Sequence, residues 1–202
     1  MPIPSIYMRD ASGVHMSDPA TELYSKRVVW LVGEVSDESV MPAILQLSYL
    51  DSAGEGPIHL YVNSQGGSVS SGLALIDCMR GLRNPVHTHA FGLAASMGAT
   101  ILACGQRGFR TATPNSRILV HQPLAGGIGG QATDIEIAVK NLTDTKAQLE
   151  GLLAEACGTS AEKVRAATDR DNWMTPQQAM DFGLIDGIEA SWMDFARGEA
   201  FW

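Results

Sequence analysis

Residues 86–103, VHTHAFGLAASMGATILA, contain a strand, a serine and a helix in immediate succession. A strand is predicted at Val86–Phe91, and the small and apolar residues that follow predict a helix to about Ala103. Ser96 lies at the junction, where free amide groups and the helix dipole favour negative charge. Taken alone, the segment is better explained by a small-residue helix packed tightly on a strand than by a catalytic serine.

Strands and helices alternate on both sides of this segment. The predicted strands are Arg27–Val35, Ile58–Val62 and one near Arg117–His121. The predicted helices are one that Ser36 or Asp37 can cap and that runs to about Leu50, one from about Ser70 to Leu82, a short one capped by Thr159 with Glu162, and another that starts at Thr175–Gln178 and stops at Gly183. Pro42 must lie early in its helix or kink it. This alternation predicts βαβ units and an α/β fold, with a parallel sheet covered by helices.

A glycine-rich segment and a long helix interrupt the alternation. Residues 125–131, AGGIGGQ, resist a single conformation, and a helix is predicted from about Thr133 to Cys157. Its apolar stripe consists of Ile135, Ala138, Leu142, Leu149, Leu152 and Leu153. The stripe is too long for a small core alone, so part of it is expected to meet another subunit.

The two ends of the chain lie outside the alternating part. Residues 1–20 mix Pro, Ser, Asp and Gly without periodicity and are interpreted as a mobile arm. Residues 191–202 form a tail with the aromatic residues Trp192, Phe195, Phe201 and Trp202. Because no repeat or linker divides the remainder, we expect one domain at 21–190.

Composition restricts the class of protein. The 202 residues are 45% hydrophobic with a formal net charge of −8, which argues against disorder and against nucleic-acid binding. Three widely spaced cysteines, Cys78, Cys104 and Cys157, fit neither a disulfide framework nor a zinc site and are interpreted as buried free thiols. With no signal-peptide pattern and no bilayer-spanning run, we expect a cytoplasmic protein.

The diglycine Gly66-Gly67 is a second candidate feature, after the strand at Ile58–Val62 and before a helix. Two glycines in that place can present free amides as an oxyanion hole. The alternative is a turn that only needs positive φ angles. A phosphate cradle would need a following Lys-Ser/Thr pair or a Gly-x-Gly-x-x-Gly pattern, and neither is present, so nucleotide binding is set aside.

Histidine and aspartate candidates supply the base and carboxylate that a hydroxyl nucleophile requires. His121 ends an apolar strand, where α/β sites gather, although a structural histidine is the commoner case there. His87 and His89 share one strand face; with no third ligand in reach by spacing, they are interpreted as surface residues rather than a metal site. Spacing leaves open whether Asp169 or Asp171 orients the base.

Five segments carry a more specific pattern than any single residue. They are YVNSQGGS at 61–68, AASMGA at 94–99, PNSRILVHQPL at 114–124, GQATDIE at 130–136 and TDRDNWMT at 168–175. In order and in spacing they closely resemble the ClpP family, the proteolytic subunit of Clp proteases, over about residues 20–189. The resemblance implies a ClpP/crotonase-like spiral of βαβ units with a protruding handle helix at about 125–157.

The resemblance also implies a role for each candidate residue. The implied nucleophile, general base and orienting acid are Ser96, His121 and Asp171. The amides of Gly67 and Met97 fall on the family's oxyanion hole. Asp169 and Arg170 fall on an ion pair between rings that couples assembly to alignment of the catalytic groups.

The implied function is that of a serine endopeptidase subunit. It would hydrolyse peptides and unfolded polypeptides inside a tetradecamer of two stacked heptameric rings, fed by an AAA+ unfoldase that uses the ATP. The chain itself would need no metal or other cofactor and bind neither nucleic acid nor membrane. Two alternatives remain: a regulatory or partner-dependent ClpP paralogue with little activity alone, and a crotonase-like acyl-CoA enzyme, whose chemistry needs no Ser-His-Asp set.

The chain departs from the ClpP pattern at three places. Gln65 replaces the usual proline before the diglycine, so the turn is expected to lose rigidity. The handle carries one extra residue near Gly126–Gly130. On the family's unfoldase-docking surface Tyr61 and Phe91 fit the pattern, but polar or small residues replace apolar ones at His59, Gly81, His89, Thr111 and Thr113. These changes predict weaker docking and a divergent second paralogue that forms mixed rings with another ClpP. The alternative is that a different docking loop has adapted to these pockets.

Overall fold

The structure, a computed structural model, describes residues 5–11 and 13–189. In chain order the elements are β1 (Ile6–Asp10), β2 (Gly13–Ser17), α1 (Pro19–Ser25), β3 (Val28–Val35), α2 (Asp37–Ala53), β4 (Ile58–Gly67), α3 (Val69–Gly81), β5 (Val86–Ala95), α4 (Met97–Ala103), β6 (Arg110–Ala112), β7 (Arg117–Val120), α5 (Ala132–Cys157), α6 (Ala161–Thr168), β8 (Asn172–Met174), α7 (Pro176–Phe182) and β9 (Gly187–Ile188). The predicted α/β class is confirmed. The aromatic tail at 191–202 lies outside the described residues.

The main sheet is mostly parallel. Its strands follow the order β3-β4-β5-β6-β9, and β7 pairs with β5 beyond the point where β6 ends. Nearly continuous apolar runs such as Val28–Val35 are typical of parallel strands buried under helices. The one antiparallel neighbour in this sheet, β8 against β7, was not predicted, and neither were β6 and β9. These strands have two or three residues each, too few to show a periodicity.

Two strands extend further than the apolar pattern predicts. β4 continues through the diglycine to Gly67, and β5 continues to Ala95. The interpretation of Gly66-Gly67 as a turn after the strand is therefore wrong: both glycines pair with β3, Gly66 with Glu34 and Gly67 with Val35. Both long strands end beside the Ser96 turn, so the extension brings the diglycine to the serine.

Helix caps follow the sequence in two cases and differ in one. Ser36 caps α2, which contains Pro42 in its second turn and continues to Ala53. Thr175 caps α7, accepting from the Gln178 amide at 3.3 Å, and the helix ends at Gly183 with φ 93°, as predicted. The predicted cap of α6 is wrong, because Ser160 rather than Thr159 accepts from the Lys163 amide, at 3.3 Å. Ser160 lies one residue nearer the helix than Thr159.

The described part of the N-terminal arm contains regular structure that composition did not reveal. β1 and β2 form an antiparallel hairpin, pairing Ile6 with Ser17 and Asp10 with Gly13. Its side chains are mostly exposed, and Tyr7 reaches 77% exposure. Because the hairpin forms its own two-stranded sheet, it adds no strand to the main sheet. The flexibility of the arm stays a prediction.

The long helix α5 has two unlike halves. From Leu149 onward it packs on the core, with Leu149 and Leu153 buried. Its first half is almost entirely exposed, including apolar side chains at Ile137 (54%) and Val139 (49%). The apolar surface in the first half has no cover within the described chain, so its contact with another subunit stays a prediction.

The three cysteines are free and half-buried. Burial raises the pKa of Cys104 to about 12 and that of Cys157 to about 11. Both thiols are therefore protonated near neutral pH, as expected for structural cysteines. In the described part of the chain, no helix has the length and apolarity needed to cross a membrane.

Candidate active site

Ser96 occupies the sharp turn between β5 and α4. Its backbone, at φ 55° and ψ −122°, lies in a region that L-residues rarely adopt. Such conformations cost about 1–3 kcal/mol and cluster at functional sites. Among the described residues, only Arg27 shares a positive φ without being glycine. The Ser96 amide donates to the Leu119 carbonyl of β7 at 2.9 Å, which holds the turn against the neighbouring strand.

His121 and Asp171 face each other across the antiparallel pair of β7 and β8. Val120 pairs with Asn172, so the next residues in register are His121 and Asp171. His121 Nδ1 lies 3.2 Å from Asp171 Oδ1, with the imidazole 16% and the carboxylate 65% exposed. Asp171, and not Asp169, is thus the carboxylate in contact with the histidine.

Ser96 and His121 lie at the carboxyl ends of adjacent parallel strands. Because Ala95 pairs with Leu119, Ser96 is level with the residue that precedes His121. Within residues 5–11 and 13–189, no hydrogen bond joins the Ser96 hydroxyl to the imidazole. The side chains of His121 and Asp171 are therefore in direct contact, and Ser96 lies at the end of the neighbouring strand.

The diglycine packs against the serine turn. A β-carbon on Gly66 would lie 2.5 Å from Ser96 Cβ and 3.1 Å from the Met97 amide nitrogen, so no larger residue fits there. The buried hydroxyl of Ser64 accepts from the Gly66 amide at 3.0 Å. Sequence analysis missed this role of Ser64. The local sequence pattern does not reveal it, because the hydrogen bond depends on how β4 bends.

The Gly67 amide is directed away from β3. Gly67 pairs with Val35, and the Val35 carbonyl accepts from the next amide, that of Ser68, at 2.7 Å. In a parallel pair, one strand bonds its neighbour through every second residue. Since Ser68 supplies the bond to β3, the Gly67 amide lies on the opposite edge of β4, the edge that faces β5 and the serine turn. Met97, the first residue of α4, has an amide without a partner inside its helix.

A family model described as Clp protease matches residues 11–191. The chain belongs to the Clp protease family. The match spans the main sheet and all helices and confirms the family resemblance read from the sequence. Family membership supports a ClpP-type peptidase, and each candidate residue lies inside the matched range.

In this Clp family member, Asp169 and Arg170 project into solvent from the single chain. Their side chains are 63% and 83% exposed, and Arg170 Nη1 lies 3.7 Å from Asp169 Oδ2. The Asp169 carbonyl accepts from the Gln122 side chain at 2.9 Å, which ties the loop to the residue after His121. The loop thus carries two exposed charges next to the histidine, and their pairing across rings stays a prediction.

The interpretation of His87 and His89 as surface residues is wrong for His89, which is only 8% exposed. His89 Nε2 lies 2.9 Å from His59 Nδ1, and His89 Nδ1 lies 2.7 Å from Thr111 Oγ1. His87 is half-buried and stacks on Phe109 with ring centroids 4.2 Å apart. The alternation of side chains along the strand put His87 and His89 on one face. It does not reveal the partners of His89, which are His59 of β4 and Thr111 of β6.

These imidazoles are neutral at pH 7. Burial lowers the pKa of His59 to about 4, and it lowers the pKa of His87 and of His89 below the ordinary value. His89 stacks on Tyr61, which in turn contacts Trp30 with ring centroids 5.0 Å apart. In the described ranges, no group of three His, Cys, Asp or Glu side chains is arranged to hold a metal ion.

Proposed function

We propose that this family member is a serine endopeptidase subunit that cleaves peptides and unfolded polypeptides by acyl transfer. The proposal rests on one observation: the Ser96 turn, the His121–Asp171 pair and the Gly66–Gly67 segment lie together at the same edge of the sheet. A nucleophile, a base, an orienting carboxylate and backbone donors are the parts that acyl transfer requires.

His121 is the general base in this proposal. Its Nδ1 contacts Asp171, which fixes the ring and leaves Nε2 as the nitrogen that takes the Ser96 proton. Ser96 Oγ attacks the peptide carbonyl carbon, and the proton on Nε2 passes to the amine as the C–N bond breaks. Water then attacks the acyl-serine and gives a proton to Nε2. As the bond from the acyl carbon to Ser96 Oγ breaks, Nε2 returns that proton to Oγ and the carboxylic acid product leaves.

The oxyanion of the tetrahedral intermediate is assigned to the amides of Gly67 and Met97. The Gly66 amide is already bonded to Ser64, so the diglycine has one amide left for a ligand. The loss of one such donor costs about 3–4 kcal/mol in other enzymes. The strained Ser96 backbone links this donor pair to the nucleophile, because Met97 is the next residue along the chain.

The chamber and its partners are inferred from family membership. The exposed first half of α5, with apolar side chains at Ile137 and Val139, supports contacts between rings. We propose two stacked heptameric rings, with Asp169 and Arg170 pairing across the junction. Unfolded polypeptide would be supplied by a separate AAA+ unfoldase.

A partner-dependent role is favoured by polar groups on the predicted unfoldase-docking surface around Tyr61 and Phe91. His59, His89 and Thr111 are joined by hydrogen bonds beside the rings of Tyr61 and Phe91. A hydrophobic docking loop gains less from contact with imidazole and hydroxyl groups than with apolar walls. We therefore propose that this subunit forms mixed rings with a second ClpP that binds the unfoldase.

Covalent labelling and peptide turnover test the catalytic assignment. The Ser96→Ala variant should lose labelling by a fluorophosphonate probe and at least about a thousandfold of peptide hydrolysis, with native mass unchanged. Ser52→Ala, an exposed serine of α2, is the matched control and should keep both. Hydrolysis retained by Ser96→Ala would remove Ser96 from the mechanism. Unlabelled Ser96 in an assembled particle without peptide turnover would overturn the peptidase proposal and reopen the acyl-CoA alternative.

Mixing experiments test the partner proposal. Peptide turnover and unfoldase capture should be measured for this chain alone and after mixing with a second ClpP-type ring. We expect capture to require the second ring. Strong unfoldase binding by particles of this chain alone would contradict the mixed-ring role while leaving the catalytic assignment intact.

A further inference from the structure

Strand β4 slips in register against both of its neighbours beside the serine turn. Against β3, the pair Val32–Asn63 is followed by Glu34–Gly66, so two residues of β4 oppose one of β3. Against β5, the register shifts again directly after Val62. Slips of this kind leave backbone groups that the ladder does not satisfy.

Two side-chain amides of β4 take the place of the missing ladder bonds. Asn63 Oδ1 accepts from the Leu93 amide at 3.3 Å on the β5 side. On the β3 side the Gln65 carboxamide lies against one peptide unit, and with its oxygen and nitrogen assigned to match these neighbours it donates to the Gly33 carbonyl at 3.3 Å and accepts from the Glu34 amide at 3.2 Å. Gln65 thus joins β4 to both ends of one peptide unit of β3.

The tether at Gln65 lies immediately before the diglycine, and a second anchor lies immediately after it. The Ser68 amide donates to the Val35 carbonyl at 2.7 Å, and the Ser68 hydroxyl accepts from the Ser71 amide at 3.3 Å, while the Ser71 hydroxyl donates to Asp37 at 2.6 Å. Between these anchors Gly66 and Gly67 have no side chains and φ angles of 92° and 149°. Glycine has the widest choice of backbone conformation, so the anchors must select the one observed.

We propose that Gln65 is a positioning residue that fixes the direction of the Gly67 amide. By joining β4 to the Gly33–Glu34 peptide, its carboxamide limits rotation of the following backbone and keeps the Gly67 N–H aimed at the acyl oxygen. The role rests on the proposed peptidase function. It acts on the transition state more than on substrate binding, because the oxyanion forms only as the carbonyl is attacked.

Replacing Gln65 by methionine removes both hydrogen bonds and keeps the length of the side chain. In assembled particles that include any partner ring needed for turnover, Gln65→Met should lower kcat for a peptide substrate about tenfold and change KM less than twofold. The loss is smaller than the hundred- to thousandfold effect of removing a whole donor, because the amide itself remains. Gln177→Ala, which removes an exposed carboxamide bonded to Asp181 on α7, should leave both constants unchanged.

Hydrogen exchange gives a readout that does not depend on activity. The Glu34 amide, whose acceptor is the Gln65 side chain, should exchange faster in Gln65→Met, while Ser68 keeps its protection. If the parent particle is active and Gln65→Met leaves kcat unchanged, the positioning role is overturned, whether or not hydrogen exchange at the Glu34 amide changes. A rise in KM with kcat unchanged would overturn it as well. A parent particle without turnover or Ser96 labelling would instead refute the proposed function.

Discussion

A β-carbon placed on Gly66 would lie 2.5 Å from the β-carbon of Ser96, so the diglycine and the serine turn are in direct contact. The same atom would lie 2.7 Å from the Ala95 carbonyl oxygen, and Gly66 has a φ of 92°. Both space and backbone conformation therefore require glycine.

The Gly66→Ala variant should displace the serine turn. We expect at least about a hundredfold loss of peptide hydrolysis, because small misplacements of reacting groups have effects of that size. Fluorophosphonate labelling of Ser96 should slow in parallel. Gly151→Ala is the control: no atom lies within 4 Å of its added carbon, and alanine favours the helix. Normal labelling in Gly66→Ala would show that the contact does not constrain the nucleophile.

Elements with a strong sequence period were predicted well, and the short ones were not. The bounds of β3 and α5 agree with the sequence to one residue, since each is a long run with a clear pattern. β6, β8 and β9 are defined by neighbouring strands rather than by their own residues. β8 matters most for the site, because its pairing with β7 puts Asp171 opposite His121.

The site itself was predicted in parts. Spacing alone left Asp169 and Asp171 as alternatives; the family resemblance favoured Asp171, which is the one in contact with His121. The sequence predicted that loss of a proline at Gln65 would loosen the segment. That loss of rigidity stays a prediction. The structure adds a Gln65 carboxamide placed to bond β3 at Gly33, a residue distant in sequence, and no local sequence pattern reveals such a contact.

Asp171→Asn should lower activity without changing the particle. An amide in place of the carboxylate no longer favours the imidazolium or the required tautomer, and the equivalent change costs about 10⁴ in kcat in other triads. Because Asp171 is 65% exposed in the single chain, we expect a loss nearer about 10³. Peptide turnover together with native mass measures this.

Asp181→Asn is the control for Asp171→Asn. It changes an exposed carboxylate of α7, bonded to Gln177, and should keep full turnover. If Asp171→Asn retained parent turnover with its mass unchanged, the contact with His121 would have no catalytic role. If only assembly were lost, the residue would belong with Asp169 and Arg170 at the proposed ring junction.

Arg110 joins three parts of the fold and should contribute strongly to stability. Its guanidinium, 3% exposed, binds the Asp186 carboxylate and donates to the carbonyls of Ala103 and Ala156 at 3.0 and 2.8 Å. Arg110→Met leaves these acceptors buried without a donor, which costs roughly 3–5 kcal/mol and lowers Tm by about 10 °C. The exposed pair of Arg80 with Glu155 offers the control, since Arg80→Met should cost less than about 1 kcal/mol. Equal Tm changes in the two variants would contradict this ranking.

The neutral His59 imidazole predicts a stability that falls in acid. Because burial lowers the pKa of His59 from 6.5 to about 4, the unfolded chain binds a proton there before the folded chain does. The stabilisation is therefore complete above about pH 7.5, falls as the pH drops through 6.5 and levels off below about 4. We expect Tm to fall by roughly 5 °C between pH 7.5 and pH 5 through His59, in addition to any fall through His87 and His89, whose pKa values are also lowered, and we expect His59→Gln to reduce the slope. His15→Gln, on the exposed hairpin, should keep the slope of the parent; an equal slope in His59→Gln would show that the pH dependence arises elsewhere.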